Sequence, residues 1–368
     1  MDGSDFKIFA TGKINKFPQK IDKIFQNRFV EPISTEFHLS QACNHRCPEC
    51  FGHSEGKDVA NTLIEVEEFM RIHDELLEIN LGSEEHDKGI SFSGSTGDPM
   101  VHPDYPEILN YTKLPFIFLT NGGARKIDKS LAKATGLRIS LDAVDDDSHL
   151  RTHGVKNKFR ETCENIRQMV AYKKQYNPEG CSLGLGFLTG DWHPAAKFPD
   201  EYSFLEPEMR QAIELGQDLE VDYVQFRPLH NDLHDFAGFR EETAKSNYDV
   251  RVLFSTKFSY MKHAQIPLRF PTCEANHVLL FIDSGLDVYT CCHLVGLPEA
   301  CIGNLRGNSL RSILESDHRR RVFGQYPNAK DCPDVCRGHT IIANITAIRQ
   351  GIGEAGRDGA IEAHDVFL

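Results

Sequence analysis

Between residue 35 and about residue 230, short apolar runs rich in β-branched and aromatic residues alternate with amphipathic stretches, the pattern of parallel βα units. Six runs read as strands: Thr35–Leu39, Gly89–Ser93, Phe116–Leu119, Leu137–Leu141, Leu183–Leu188 and Asp222–Phe226. The stretch between the first two predicts a helix, because Leu63, Val66, Phe69, Met70, His73, Leu76 and Leu77 recur at helical spacing. Thr62 and Glu65 form a capping box at its start, and Ser203 with Glu206 forms another ahead of the sixth strand. Six such units are fewer than the eight that close a barrel. The expected fold class is therefore α/β, an open, partial (β/α)6 TIM-like barrel with its active face at the strand C-termini.

The pattern changes further along the chain. Residues 1–34 read as an N-terminal extension, 35–230 as the barrel, 231–271 as a connecting helical segment, 272–340 as a small cysteine-rich domain and 341–368 as a C-terminal helix and tail. A hairpin is expected around Ser284–Gly285. After the glycine-rich stretch Gly351–Gly359, the chain ends in His364-Asp365-Val366-Phe367-Leu368, whose apolar residues favour a tail folded back on the barrel mouth.

Composition narrows the function. Of 368 residues, 40% are hydrophobic and 26% charged, and no apolar run approaches the ~20 residues that span a bilayer, so no membrane partner is expected. A formal charge of −13 argues against nucleic-acid binding, which needs Lys and Arg to displace counterions. The first twenty residues lack the apolar core of a secretory signal, and the expected compartment is the cytoplasm. Eleven cysteines in such a chain suggest metal or redox chemistry rather than disulfides.

Three of these cysteines, Cys43, Cys47 and Cys50 in HLSQACNHRCPECFGH, follow the first strand directly. A cubane of four irons and four sulfides normally takes four thiolates, so three from one loop leave an iron open to a substrate or cofactor. The CxxxCxxC spacing after strand one resembles the radical S-adenosylmethionine (SAM) superfamily, and the resemblance covers roughly residues 35–340. It implies a [4Fe-4S] cluster whose free iron chelates SAM, and an electron that cleaves SAM to methionine and a hydrogen-abstracting 5′-deoxyadenosyl radical. The bland alternative is a structural zinc site with His45 or His53 as fourth ligand.

Further motifs fall in order at successive strand ends. Gly94, Ser95, Thr96, Gly97, Asp98 and Pro99 resemble the family's Gly-Gly-Glu-Pro element, with Asp98 where Glu is usual, which implies contact with the SAM amino group. Thr120-Asn121-Gly122 matches its Thr-Asn-Gly element, and Ser140-Leu141-Asp142 resembles its Ser-Leu-Asp motif, with Ser140 as a SAM contact. Arg151 or Arg160 is implied as partner of the SAM carboxylate, although either suits a solvated helix face equally. Arg227, at the end of strand six, is a SAM or substrate contact or else a surface ion pair. Trp192 and His193 line a substrate pocket or form a simple lid.

Six cysteines crowd the C-terminal part: Cys273, Cys291, Cys292, Cys301, Cys332 and Cys336. Their order resembles the auxiliary-cluster modules called SPASM and Twitch, and the shortage of late cysteines favours the shorter Twitch form with one further [4Fe-4S] cluster. The ligands chosen are Cys273, Cys291, Cys332 and Cys336. Cys292 is the rival to Cys291, because neighbours on a strand face opposite ways. Cys301, Cys163 and Cys181 read as small buried hydrophobes. A four-cysteine zinc ribbon is the alternative for the group.

The expected function is thus a radical SAM oxidoreductase that takes a hydrogen atom from a small, sugar- or aminocyclitol-like substrate, with an electron donor such as flavodoxin or ferredoxin. Too few residues precede the first strand for a separate peptide-recognition domain, which tilts the reading to a small molecule. A peptide- or protein-modifying enzyme is the first alternative, and a non-catalytic zinc module the second.

Overall fold

The structure, a computed structural model, describes residues 13–48, 50, 62–79, 88–94, 97–123, 126–189, 206–228, 236–255, 258, 273–325, 336 and 338–351. The strands are β1 (Ser34–His38), β2 (Gly89–Ser93), β3 (Phe116–Thr120), β4 (Gly136–Ser140), β5 (Ser182–Thr189), β6 (Tyr223–Pro228), β7 (Arg251–Phe254), β8 (Leu279–Ile282), β9 (Asp287–Tyr289) and β10 (Gly303–Asn304). They form one sheet in the order β10-β9-β8-β1-β2-β3-β4-β5-β6-β7. Every pairing from β8 to β7 is parallel, and β8-β9-β10 continue antiparallel. This is the α/β partial barrel expected, and each of the six predicted strands lies within two residues of its expected bounds.

Two strands exceed the expectation. The segment expected to be helical at 231–271 carries the short helix Ala237–Thr243 but also β7, which extends the parallel edge beyond β6. Four residues, RVLF, are too few to show an alternation, so their pairing is visible only in three dimensions. Strand β8 joins the barrel sheet itself, with Glu36 opposite Phe281. The expected hairpin at Ser284–Gly285 joins β8 to β9.

The helices used below are α1 (Pro18–Phe25), α2 (Val66–Glu78), α3 (Tyr105–Tyr111), α4 (Asp146–His153), α5 (Phe159–Tyr176), α6 (Glu206–Asp218), α7 (Ala237–Thr243), α8 (Leu310–Leu314), α9 (Asp317–Gln325) and α10 (Gly338–Arg349). Helix α2 starts later than the capping box suggests. Thr62 gives its hydroxyl to Gln41 Oε1 at 2.7 Å instead of capping the helix, and Glu65 is the N-cap without a side-chain bond. Ser203, in the second box, lies outside the described residues, and α6 opens at Glu206. The tail from residue 352 onward also lies outside them.

Alternation along the strands makes two faces. Phe37, Phe92, Phe118, Leu185 and Phe226 point outward into one core beneath the helices. There Phe69 of α2 sits 5.1 Å from Phe37 and 5.7 Å from Phe92, ring centre to ring centre, and truncating it to Ala would cost about 3–5 kcal/mol. The inner face carries Glu36, Ser91, Arg138, Gln225 and Arg227 instead. A second apolar core joins residues of α1 to the C-terminal part: Ile21, Ile24, Phe281, Tyr289, Ile341 and Ile345 are all buried in it. No helix among the described residues is long and apolar enough to cross a membrane.

Candidate active site

The cysteine loop leaves β1 and is clamped by the ends of the next three strands. From β2, Asp98 N donates to Ala42 O at 3.0 Å. A Cβ on Gly97 would lie 2.3 Å from Ser40 O and 2.6 Å from Ala42 O, so only glycine permits that approach. From β3, Gly123 O accepts from Asn44 Nδ2 at 2.7 Å. From β4, the main chain of α4 holds the loop through Arg46 N donating to His153 O at 2.9 Å. Helix α4 is itself well defined, with a capping box of Asp145 and Ser148 and a left-handed Gly154 as C-cap.

The thiols of this loop interact with one another, and their surroundings suit a cluster. Cys43 stays reachable from solvent, while Cys47 and Cys50 are half-buried. Lost hydration, then the charge of Asp98, pushes the Cys43 thiol up to about 11. Burial, then Cys43 and Cys50, holds Cys47 far above the ordinary thiol value. Three sulfurs that repel one another as thiolates are matched by a cationic iron core, which removes that cost. Two N–H groups already aim at Cys43 Sγ: His45 N at 3.4 Å and Asn121 Nδ2 at 3.6 Å. Such donors stabilise the thiolate form that ligates iron.

Asp98 is buried and committed. Its oxygens accept from Asn121 N at 2.7 Å, Met100 N at 2.9 Å and Thr120 Oγ1 at 2.9 and 3.0 Å. These bonds join the loops after β2 and β3 through one side chain. Burial raises its pKa, which those donors partly oppose. Asn121 likewise holds the cysteine loop, with its amide on Asn44 Oδ1 at 2.8 Å and its oxygen on Gly123 N at 2.7 Å.

The remaining expected contacts are dispersed. Ser140 ends β4 on the inner face, half-buried. Arg227 ends β6 with its Nη2 3.5 Å from the Cβ position of Gly186, beside the Arg138 side chain. Facing it, Asp142 adopts a left-handed φ of 44° and is pushed up to about 6 by burial, with Arg227 pulling the other way. Arg151 is exposed on α4 and pairs with Glu208 of α6 at 2.8 Å. Arg160 is exposed on α5. Ser95, Thr96, Trp192 and His193 lie outside the described residues.

In the C-terminal module, the Cys291 and Cys292 thiols hydrogen-bond each other, and this contact first, then burial and Cys273, raises Cys291 well above an ordinary thiol. The expectation that only one of the pair faces a cluster rested on strand alternation. Strand β9 ends at Tyr289, however, and Cys292 opens a 3-10 turn, so alternation no longer applies. Cys336 Sγ lies 3.5 Å from the Cβ position of Gly338 at the start of α10. Cys301 donates to Gly303 O at 3.2 Å, as a plain thiol does. Cys163 and Cys181 are buried in the main core. Cys332 lies outside the described residues.

One group escaped the sequence reading. His45 of the cysteine loop packs against His149 and His153 of α4, with ring centres 5.4, 4.7 and 4.6 Å apart. Burial, then the neighbouring rings, lowers His45 to about 2 and His149 to about 4, and burial lowers His153 to about 4. The i, i+4 spacing of His149 and His153 was the available signal. Nothing in the linear chain brings His45 to them.

A parallel barrel whose first loop holds three thiols is followed by a cysteine-rich module on the same sheet, an arrangement whose thiols suit iron–sulfur clusters. Two family models agree: one described as the Radical SAM superfamily matches residues 37–190, and one described as an iron–sulfur cluster-binding domain, SPASM, matches residues 273–338. The chain thus carries a radical SAM domain and a C-terminal SPASM iron–sulfur domain, and these domains imply SAM and [4Fe-4S] clusters as cofactors.

Among characterised proteins, the subtilosin biosynthesis protein AlbA of Bacillus subtilis is 31% identical over 150 residues, 38% of this chain and 31% of AlbA. Solved structures share the fold. SuiB of Streptococcus suis, bound to its precursor peptide SuiA, superposes with a TM-score of 0.60 and 13% identity over 93% of this chain and 78% of SuiB. The protein anSMEcpe with bound SAM gives 0.54 and 14% over 87% of this chain and 99% of its own.

Proposed function

We propose that this chain is a radical SAM enzyme that modifies a peptide. The observation that carries this reading is the 31% identity to AlbA, a protein of bacteriocin biosynthesis, across 150 residues. SuiB, seen with a precursor peptide, adds a shared fold. Together they favour a peptide over the sugar-like substrate that the short segment ahead of β1 suggested.

Cys43, Cys47 and Cys50 would hold the SAM-binding cluster, and Cys273, Cys291 or Cys292, and Cys336, with Cys332, the auxiliary one. When bound, cluster and SAM supply a hydrogen-abstracting radical, with the electron coming from a donor such as flavodoxin or ferredoxin. The chain's own residues hold and surround the reacting groups. Asp98 and Asn121 fix the cysteine loop, as their bonds to Asn121 N and Asn44 Oδ1 support. The inner face is acidic and polar along β1 and β2, at Glu36, His38, Ser91 and Ser93, and basic along β4 and β6, at Arg138 and Arg227. Glu36 there accepts from Ser93 Oγ at 2.6 Å and lies 2.9 Å from His38 Nε2. Such a split surface suits a peptide strand that carries both signs of charge.

The test is deuterium transfer. Reconstituted enzyme, SAM and reductant are mixed with fully deuterated candidate peptides encoded beside its gene, and 5′-deoxyadenosine is analysed by mass spectrometry. Deuterium in that nucleoside supports the reading. Transfer from deuterated sugars or aminocyclitols, with none from any peptide, overturns it.

A further inference from the structure

We propose that His45, His149 and His153 bind a divalent transition-metal ion, with Cys47 as fourth ligand while the iron–sulfur cluster has yet to be built. Each histidine offers one ring nitrogen, and these nitrogens all lie within 4.8 Å of one another. The three side chains are buried, at 4%, 1% and 3% exposure.

Both ring nitrogens of His45 are buried with no hydrogen-bond partner, while His149 keeps a main-chain hydrogen bond with Val155. Every neutral imidazole carries one N–H and one bare nitrogen, so the fold leaves both a donor and an acceptor unmet on the His45 ring, at roughly 1–3 kcal/mol apiece. A metal ion takes up the bare nitrogen of such a ring and returns part of that cost.

His153 differs, and its difference points the same way. Its Nε2 lies 2.7 Å from Leu141 O. A carbonyl only accepts, so Nε2 carries the proton, and the bare Nδ1 faces Cys47 Sγ at 3.3 Å. A ligating histidine commonly donates its other N–H to a backbone carbonyl, which sets the tautomer and the ring's direction. In a tetrahedral site with metal–nitrogen bonds of about 2.0 Å and metal–sulfur bonds of about 2.3 Å, neighbouring N and S ligands lie about 3.5 Å apart and neighbouring nitrogens about 3.3 Å. The His153–Cys47 edge is already that short. The histidine edges must close by up to about 1.5 Å, and Cys47 Sγ, which lies outside the set of atoms within 4.8 Å of one another, must move toward His45 and His149 as the ion binds.

Imidazoles with a thiolate suit zinc, ferrous iron or cobalt and not magnesium or calcium. The pocket is held in place from both sides. His149 and His153 are one turn apart on α4, and the loop bearing His45 is tied to that helix by the Arg46–His153 main-chain bond and by Gly154, where a Cβ would sit 2.3 Å from Arg46 O. Binding displaces the Cys47 thiol proton to solvent, with no change of oxidation state. Because Cys47 also belongs to the cluster loop, the ion and the cluster compete for one sulfur, and the ion guards it until the cluster forms.

The test titrates Co2+ into full-length, chelator-treated, cluster-free protein without oxygen. The C-terminal cysteines also bind cobalt, so the readout is the difference between variants. Cys43→Ala/Cys50→Ala should bind as many equivalents as the unmutated chain, and His45→Gln/His149→Gln one fewer. Cys47→Ala should keep that equivalent at least tenfold more weakly, with less thiolate-to-cobalt charge-transfer absorption. If the histidine variant keeps every equivalent, or Cys43→Ala/Cys50→Ala loses one, the ion sits on the three cysteines and the proposal fails. Should the histidine variant unfold, 15N-histidine NMR of the unmutated chain decides: added Zn2+ must shift the ring nitrogens of three histidines, and unmoved rings refute the site.

Discussion

The main-chain amide of Asn121 donates to the buried carboxylate of Asp98 at 2.7 Å, so one side chain ties the loop after β3 to the loop after β2. Asp98→Ala removes the acceptor of three donors and should cost roughly 3 kcal/mol. Asp98→Asn keeps part of that capacity and should fall between. Urea unfolding and calorimetric SAM titration together check this. A residue that positions the loops loses stability and SAM affinity together, whereas a direct SAM contact would lose affinity alone.

Gly154 has a φ of 66° and a missing Cβ that would meet Arg46 O at 2.3 Å. Gly154→Ala must strain the backbone or push the cysteine loop away from α4. The expected outcome is a loss of about 1–3 kcal/mol and poorer iron retention at Cys43, Cys47 and Cys50. Unchanged thermal unfolding and iron content would show that α4 does not brace that loop.

Iron counts separate the two cysteine groups. Two cubanes give about eight irons per reconstituted chain, and replacing Cys43, Cys47 and Cys50 by Ala together should leave about four and abolish SAM cleavage. Cys273→Ala should also lose about four irons while keeping reductive SAM cleavage and losing peptide product. Circular dichroism tells cluster loss from unfolding, since a cluster that staples the module contributes folding energy. Cys301→Ala should change neither count, because its thiol donates to Gly303 O.

Asp142 yields a pH prediction. Its folded pKa is raised to about 6 from 3.8, so the neutral acid is favoured in the fold, and its contribution is fully present below pH 3.8 and lost as pH rises through 6. Relative to Asp142→Asn, the unmutated protein should therefore lose stability between about pH 4 and 7, by up to about 3 kcal/mol. Denaturant melts at the two pH values measure it. A constant difference would mean that Asp142 titrates normally in the fold.

The linear chain was enough to place β1 to β6 and the cysteine triad. A strand five residues long with β-branched or aromatic residues carries its signal locally, and so does CxxxCxxC. The order of Gly97, Asn121 and Ser140 along successive strand ends was readable for the same reason. Their roles were less so, because whether Asp98 meets SAM or Asn121 N depends on how closely two loops approach.

Tertiary structure alone decided the rest. The pattern of β7 is too short to announce a strand, and although the hairpin announced β8, only sheet register reveals that it pairs with β1 and that β7 pairs with β6. Cys291 and Cys292 share a side because the backbone turns after Tyr289, and periodicity cannot show where a strand stops. The histidine cluster joins position 45 to positions 149 and 153, about a hundred residues apart in sequence and in contact in the fold. Sequence pattern reports on neighbours within a few residues, whereas a metal site or a buried carboxylate is defined by distances that only the packed barrel sets.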